Sequence, residues 1–115
     1  MTNVKISSQE DGGILWISID EPEASIRISS KVHQKFDEYL SAGVKKIAVD
    51  MSQVDFIDSS FLGILVSAMK DADAKGIRIA LFAIKPNVKA IFDLTRLDKL
   101  IPIVADRQAA KALLA

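Results

Sequence analysis

Asp58, Ser59 and Ser60 are the residues whose types and order suggest chemistry most directly. They stand where an extended apolar segment gives way to a helical pattern, so both hydroxyls would lie at a helix N-terminus. That end of a helix has unpaired backbone N–H groups and stabilises negative charge. The simplest interpretation is an N-cap that contributes about 1 kcal/mol. The functional interpretation is that Ser59 accepts a phosphate.

A phosphate on Ser59 would change the surface while leaving the helix intact. It would add about −1.5 to −2 units of charge in the first turn, where the helix dipole is favourable. Beside Asp58, the added group would repel an acidic partner and fill space that a close interface needs. The sequence therefore predicts a site of regulated partner binding, in which Asp58 caps the helix and orients the serine.

Two apolar residues follow the serines. Phe61 comes directly after them, and we expect its ring at the rim of the site, where an exposed aromatic side chain could anchor a partner. Ile64 is expected in the core, because the first half of a helix beside a buried strand can be covered on most sides.

Enzymatic chemistry is not indicated. The chain has one histidine, His33, on the polar side of a predicted helix, and it lacks a G-x-S-x-G elbow, a glycine-rich phosphate loop and metal-ligand spacing. We therefore predict no catalytic residue, no cofactor and no metal site. A weaker alternative is a two-component receiver domain, which has an acidic pocket and a Lys-Pro pair. The intervals between the corresponding residues here are each too short by about one βα unit. The residues concerned are Asp20, Glu21, Asp50, Asp55, Asp58 and Lys85-Pro86.

The size and charge of the chain limit the remaining functional classes. The 115 residues, half of them hydrophobic, are enough for one domain with a real core. Lys and Arg together number 15, as do Asp and Glu, so no net field favours nucleic acid or an anionic membrane. Without a signal-like segment or a long apolar run, we expect a cytoplasmic protein that does not insert into membranes.

Apolar periodicity outlines the elements. Asp11-Gly12-Gly13 between apolar runs predicts a hairpin, and a first helix is expected from Ser29 or Ser30 to Gly43. Strands are predicted at 46–51, 77–84 and 101–104. A second helix should run from Asp58 to Gly76, a third should begin at Pro86 and a last near Asp106. The inward faces expected for these three helices are Leu62, Leu65, Val66, Met69 and Ala72; Val88, Ile91 and Phe92; and Ala109, Ala110 and Leu113.

The predicted order of elements is ββαβαβαβα. A hairpin followed by alternating elements indicates an α/β fold with a mixed sheet of about five strands and about four helices. We expect a single domain over residues 1–115, with a core of about 4–112.

At these residues the sequence resembles the STAS-domain family, specifically the bacterial anti-sigma factor antagonists. The hallmark motif of these antagonists resembles V-x-F-[IM]-D-S-[ST]-G-L-G. The later stretch 75–103 also resembles the family's buried strand, Pro-started helix and L-T-G-L-like turn. The hallmark is matched here by Val54, Phe56, Ile57, Asp58, Ser59, Ser60, Leu62 and Gly63.

The resemblance implies a partner-switching protein. Its unmodified form would bind a serine kinase that also acts as an anti-sigma factor, and so release the sigma factor. The kinase would phosphorylate Ser59, and a PP2C-type phosphatase would restore it. ATP and metal would be held by these partners. Some family members serve instead as subunits of lipid-transport complexes or stress-sensing assemblies, an alternative without a phosphorylation switch.

Three departures from the family pattern bear on the partner. Phe61 and Arg96 stand where the family has glycine, and residues 19–23 replace its G-x-[LF]-D segment. Because that segment normally belongs to the partner surface, the resemblance places Asp20 and Glu21 in the partner-binding set with Asp58, Ser59, Ser60 and Phe61.

Overall fold

The computed structural model describes residues 4–115 and contains seven strands and four α-helices within that range. A short 3₁₀ turn at Leu97–Lys99 follows the third helix. The elements in chain order are β1 (Ile6–Asp11), β2 (Ile14–Ile19), β3 (Glu23–Ala24), α1 (Ile26–Leu40), β4 (Lys46–Asp50), β5 (Phe56–Ile57), α2 (Ser59–Ala74), β6 (Arg78–Phe82), α3 (Pro86–Leu94), β7 (Ile103–Val104) and α4 (Arg107–Leu114).

The main sheet has five strands in the order β1-β2-β4-β6-β7. The hairpin pair β1 and β2 is antiparallel, while β2, β4, β6 and β7 run parallel. Gly12 and Gly13 form the hairpin turn with φ of 63° and 78°, values that glycine adopts at little cost. The predicted α/β class, mixed five-stranded sheet and four helices are confirmed.

Strand residues alternate between the two faces of the sheet. One face packs against α1, α2 and α3 around Ile17, Val49 and Leu81. The opposite face packs against α4, where Trp16 and Phe82 meet edge to face with ring centroids 5.6 Å apart. The strand β6 is therefore covered on both faces, as its apolar sequence predicts.

Several local predictions are wrong. α1 begins at Ile26 after the N-cap Ser25, a turn earlier than predicted, and Ser29 is a buried residue inside it. It ends at Leu40, before Gly43. The inward faces of α2 and α4 are also rotated from the expected ones, because tertiary neighbours rather than composition select the covered stripe. The buried residues are Phe61, Leu65, Ala68 and Ala72 in α2, and Ala110 and Leu114 in α4.

A second, two-residue pairing was not predicted. β3 and β5 run parallel, with Glu23 opposite Phe56 and Ala24 opposite Ile57. Two-residue strands are too short to show an alternation in sequence. Because β3 leads into α1 and β5 leads into α2, this pairing brings the N-termini of both helices together.

Candidate functional site

The side chain of Asp58 joins the starts of two helices. Its Oδ1 accepts a hydrogen bond from the Phe61 N–H at 3.1 Å, which caps α2 as predicted. Its Oδ2 accepts one from the Ile26 N–H in the first turn of α1, at 2.8 Å. The backbone N–H of Asp58 also donates to the Ala24 carbonyl at 3.2 Å. One carboxylate therefore serves two orphan donors that belong to different helices.

These hydrogen bonds favour the ionised form of Asp58. The Phe61 N–H has the largest effect and lowers the pKa of this carboxyl below its ordinary value of 3.8, with the Ile26 and Ser60 N–H groups acting in the same direction. Desolvation opposes them but does not reverse the shift. Asp58 is therefore an anion at neutral pH.

Ser59 is the first residue of α2 and is exposed, whereas Ser60 is half-buried. Gly63 lies four residues later and is also exposed, so it shares a face of the helix with Ser59. A Cβ built on Gly63 would meet no atom within 4 Å. The surface beside Ser59 is thus flat because of a residue that the packing does not require to be glycine.

The expectation of an exposed ring at Phe61 is wrong. Phe61 has 0% exposure and belongs to the core between the helices and the sheet. Its position one turn before Leu65 places both side chains on the buried stripe of α2. Ile64, which was expected in the core, is half-buried.

Two large apolar side chains that the sequence did not single out are exposed beside Asp58. Ile26 is 74% exposed and Phe56 is 50% exposed. Ile26 lies off the buried stripe of α1, and Phe56 points outward because its strand neighbour Ile57 points inward. The alternation of side chains in β5 could have indicated that Phe56 is exposed, but two residues are too few to establish an alternation.

The segment that contains Asp20 and Glu21 lies against β5. The carbonyl of Pro22 accepts hydrogen bonds from the Asp55 N–H at 2.7 Å and the Phe56 N–H at 3.1 Å. Asp20 is exposed, and its carboxylate accepts from the Ser18 hydroxyl at 2.6 Å. Glu21 is only 9% exposed and accepts from the Lys5 N–H at 2.9 Å. Its carboxylate is held within the fold, which does not fit the expected contact with a partner.

The receiver-like residues are not gathered into an acidic pocket. Lys85 forms an ion pair with Asp55, and Asn87 donates to the Asp55 carbonyl at 2.7 Å, which ties the start of α3 to the segment before β5. Among residues 4–115, no three His, Cys, Asp or Glu side chains are arranged to hold a metal ion. In the same range, no helix is both long and apolar enough to cross a membrane.

His33 has no place at this site. It is exposed on α1, and its Nε2 lies 3.8 Å from the carboxylate of Asp37 one turn later. This is an ordinary surface pair on a helix. What the geometry places at the start of α2 is the exposed Ser59 beside the Asp58 carboxylate.

The chain is similar in sequence to proteins that are named anti-sigma factor antagonists. It is 37% identical over 68 residues to a candidate anti-sigma factor antagonist of Thermotoga maritima, an alignment that covers 59% of this chain and 60% of that protein. It is 26% identical over 102 residues to the anti-sigma F factor antagonist of Paenibacillus polymyxa, covering 88% of this chain and 86% of that one.

The fold has close counterparts among solved structures. The crystal structure of a candidate anti-sigma factor antagonist from T. maritima superposes with a TM-score of 0.87 at 26% identity, covering 95% of this chain and 93% of that chain. The family model described as "STAS domain" matches residues 5–110. The match spans nearly the whole sequence, and the chain therefore belongs to the STAS domain family.

Proposed function

We propose that this protein is an anti-sigma factor antagonist whose unphosphorylated form binds an anti-sigma factor serine kinase. Phosphorylation of Ser59 would end that binding, and a PP2C-type phosphatase would restore it. The observation that carries the proposal is the exposed Ser59 hydroxyl at the first residue of α2, directly after the capping Asp58. The names of the relatives support the same role, although the T. maritima alignment spans only 60% of that protein.

The surface around Ser59 suits a protein partner. Ile26 and Phe56 supply large apolar contacts, and Gly63 leaves room for close approach one turn along the helix. Exposed apolar groups beside a flat helix face are typical of a contact that desolvates on binding. Ser60 and Asp20 complete the proposed partner surface, while Asp58 positions Ser59 through the start of α2.

A phosphate on Ser59 would oppose that contact in two ways. It would add about −1.5 to −2 units of charge that an interface with apolar groups would have to desolvate. It would also stand beside the Asp58 anion, which raises the local negative charge further. The helix dipole would stabilise the phosphate on the free protein, and so favour the phosphorylated, unbound state.

In this scheme the protein is a substrate and a switch, not an enzyme. Its kinase would hold ATP and metal, and its phosphatase would hold the metal for hydrolysis. The proposed setting is the bacterial cytoplasm, with residues 1–115 acting as one domain.

A capture experiment with tagged baits tests the proposal. Wild type, Ser59→Ala, Ser59→Glu and Phe56→Ser would be incubated with lysate of the native organism, with bound proteins and phosphopeptides identified by mass spectrometry. Ser8→Glu is the matched control, because it puts the same charge on the exposed strand β1. We expect a serine kinase with wild type, Ser59→Ala and Ser8→Glu. Ser59→Glu should reduce capture roughly tenfold, the effect of about 1.4 kcal/mol, and Phe56→Ser should also reduce it.

Two results would contradict the proposal. Equal kinase capture by wild type and Ser59→Glu would exclude a charge switch at Ser59. Recovery of a transporter permease and ATPase with every bait, without a phosphopeptide, would instead indicate a permanent subunit of a transport complex.

A further inference from the structure

A shallow apolar groove runs along one flank of α2, away from Ser59. Its first part is a cavity of about 260 Å³, and its second part, about 160 Å³, shares Met69 and Asp73 with the first. Val66 and Met69 line the first part together with Leu100 and Ile101, which precede β7. Apolar grooves of this kind mark sites where another molecule packs.

Apolar side chains on the rim of this groove remain in contact with solvent. Leu100 is 58% exposed and Leu113 is 38% exposed. They come from different parts of the chain, the turn after α3 and the helix α4, yet they border the two parts of one groove. An occupant would cover both.

Three charged residues line the groove and are exposed: Lys70 and Asp73 on α2, and Arg78 on β6. The Arg78 guanidinium donates to the Leu113 carbonyl at 2.6 Å. Within residues 4–115 neither Lys70 nor Asp73 forms an ion pair, so these two charges can pair with an occupant. They lie three positions apart on α2, so they have opposite charges on adjacent turns. Such a pair is complementary to itself when the helix is turned end for end.

We propose that the groove is the interface of a homodimer in which α2 packs antiparallel to α2 of a second copy. A two-fold axis between Lys70 and Asp73 places each lysine opposite the aspartate of the other copy, so that two ion pairs form around a shared apolar centre. Any other partner would need its own charges to match this pattern, whereas a second copy carries them already.

The dimer leaves the phosphorylation site free. Ser59 and Asp73 are fourteen residues apart on one helix, which corresponds to roughly 21 Å at 1.5 Å per residue. The interface is therefore independent of the switch, so a result that excludes the dimer would not affect the proposed function. About a dozen residues line the groove, fewer than the roughly 20–30 residues per partner of a standard interface. We therefore expect weak association, to be looked for at up to about 1 mM protein.

Charge reversal tests the symmetry directly. Lys70→Glu would place a glutamate opposite Asp73 of the other copy, and Asp73→Lys would place a lysine opposite Lys70, with two repulsive contacts in each homodimer. We expect wild type to dimerise in sedimentation equilibrium and each single variant to be monomeric. An equimolar mixture of the two single variants should recover a heterodimer, and the double variant should recover a homodimer.

Lys75→Glu is the control, since Lys75 is an exposed lysine directly after α2 that lies outside the groove lining. It should dimerise like wild type, and circular dichroism should show that every variant is folded. A wild type that stays monomeric at 1 mM overturns the proposal, as does a single charge reversal that dimerises as well as wild type, or a mixture that remains monomeric.

Discussion

Gly63 lies one turn after Ser59 on the same exposed side of α2. Glycine inside a helix costs about 0.5–1 kcal/mol relative to alanine, and a Cβ at this position would meet nothing within 4 Å. The fold thus gains nothing from this glycine. Under the proposed function, the role of Gly63 is to leave the surface next to the phosphorylation site unobstructed.

Gly63→Ala should therefore raise the melting temperature by about 2–6 °C, the effect of the recovered helix propensity. Gly63→Gln should also be at least as stable as wild type but should capture the kinase roughly tenfold less well, because its side chain projects into the contact. Gly76→Ala is the matched control for stability. Gly76 has φ of 71°, so the same substitution should lower the melting temperature there. A less stable Gly63→Ala, or undiminished capture by Gly63→Gln, would show that Gly63 has another role.

Local chemical signals explain which residues could be predicted from the sequence. Asp58 and Pro86 begin their helices as expected, because a capping carboxylate and a proline in the first turn act through their own backbone neighbours. The hairpin glycines are predictable for the same reason. Ser59 follows from Asp58, since the cap fixes which residue comes first in the helix.

Burial at the site could not be predicted in this way. Phe61 is buried and Phe56 is exposed, although both are aromatic residues within three positions of Asp58. Their exposure depends on the packing of α1 against α2 and on the short pairing of β3 with β5, which are contacts between distant parts of the chain. Ile26 lies beside the site because α1 begins a turn earlier than Ser29 or Ser30 would suggest, and it is exposed because it lies off the buried stripe of α1.

At the scale of whole elements, Asp58 links α1 to α2. Its carboxylate accepts from both Phe61 and Ile26, whereas Asp106, the cap of α4, accepts from the Ala109 N–H within its own helix. We therefore expect Asp58→Ala to lower the melting temperature at pH 7 by at least about 5 °C, and by more than Asp106→Ala does. Equal losses for the two variants would show that the Ile26 contact adds nothing.

The effect of Asp58 should also depend on pH. The pKa of Asp58 is lowered in the folded state, so the unfolded chain binds its proton more readily. The stabilisation is then fully present above the unfolded pKa, near 4, and is lost as the pH falls through the lower folded value. Melting curves of wild type and Asp58→Ala should be well separated at pH 7 and should converge toward pH 2. A separation that stays constant over this range would mean that ionisation of Asp58 is not involved.

The turn after α3 contains a strained residue. Arg96 has φ of 62° and ψ of 18°, a left-handed conformation that costs a non-glycine residue about 1–2 kcal/mol. Glycine would relieve this strain but would lose about 0.4–1 kcal/mol through greater freedom of the unfolded chain. Arg96→Gly should thus stabilise the protein by about 0.5–1 kcal/mol. Lys75→Gly, at φ of −96°, is the control and should destabilise it. Urea titrations compare the two, and a destabilised Arg96→Gly would show that the arginine side chain contributes more than its backbone costs.

At the scale of the whole molecule, the proposed switch changes a surface and leaves the fold as it is. Ser59 is exposed at a helix N-terminus, and the buried residues of α2 point to the opposite side, into the core with the sheet. A charge added there meets a favourable dipole and an unfavourable Asp58 anion, effects of opposite sign. Partner binding can therefore be controlled without unfolding any element.

Ser59→Glu should accordingly melt within about 3 °C of wild type, since a charge at a helix terminus changes stability by about 0.3–1 kcal/mol. Ser41→Glu is the control, because Ser41 is the exposed C-cap of α1, where negative charge is unfavourable; it should melt below Ser59→Glu at low salt. In about 1 M salt, where charges are screened beyond about 3 Å, the two variants should converge. Amide chemical shifts should change for Ser59→Glu only around the starts of α1 and α2. Shifts that spread through β2, β4 and β6, or a loss of more than about 10 °C, would mean that the charge acts by disturbing the core, and the surface mechanism would have to be given up.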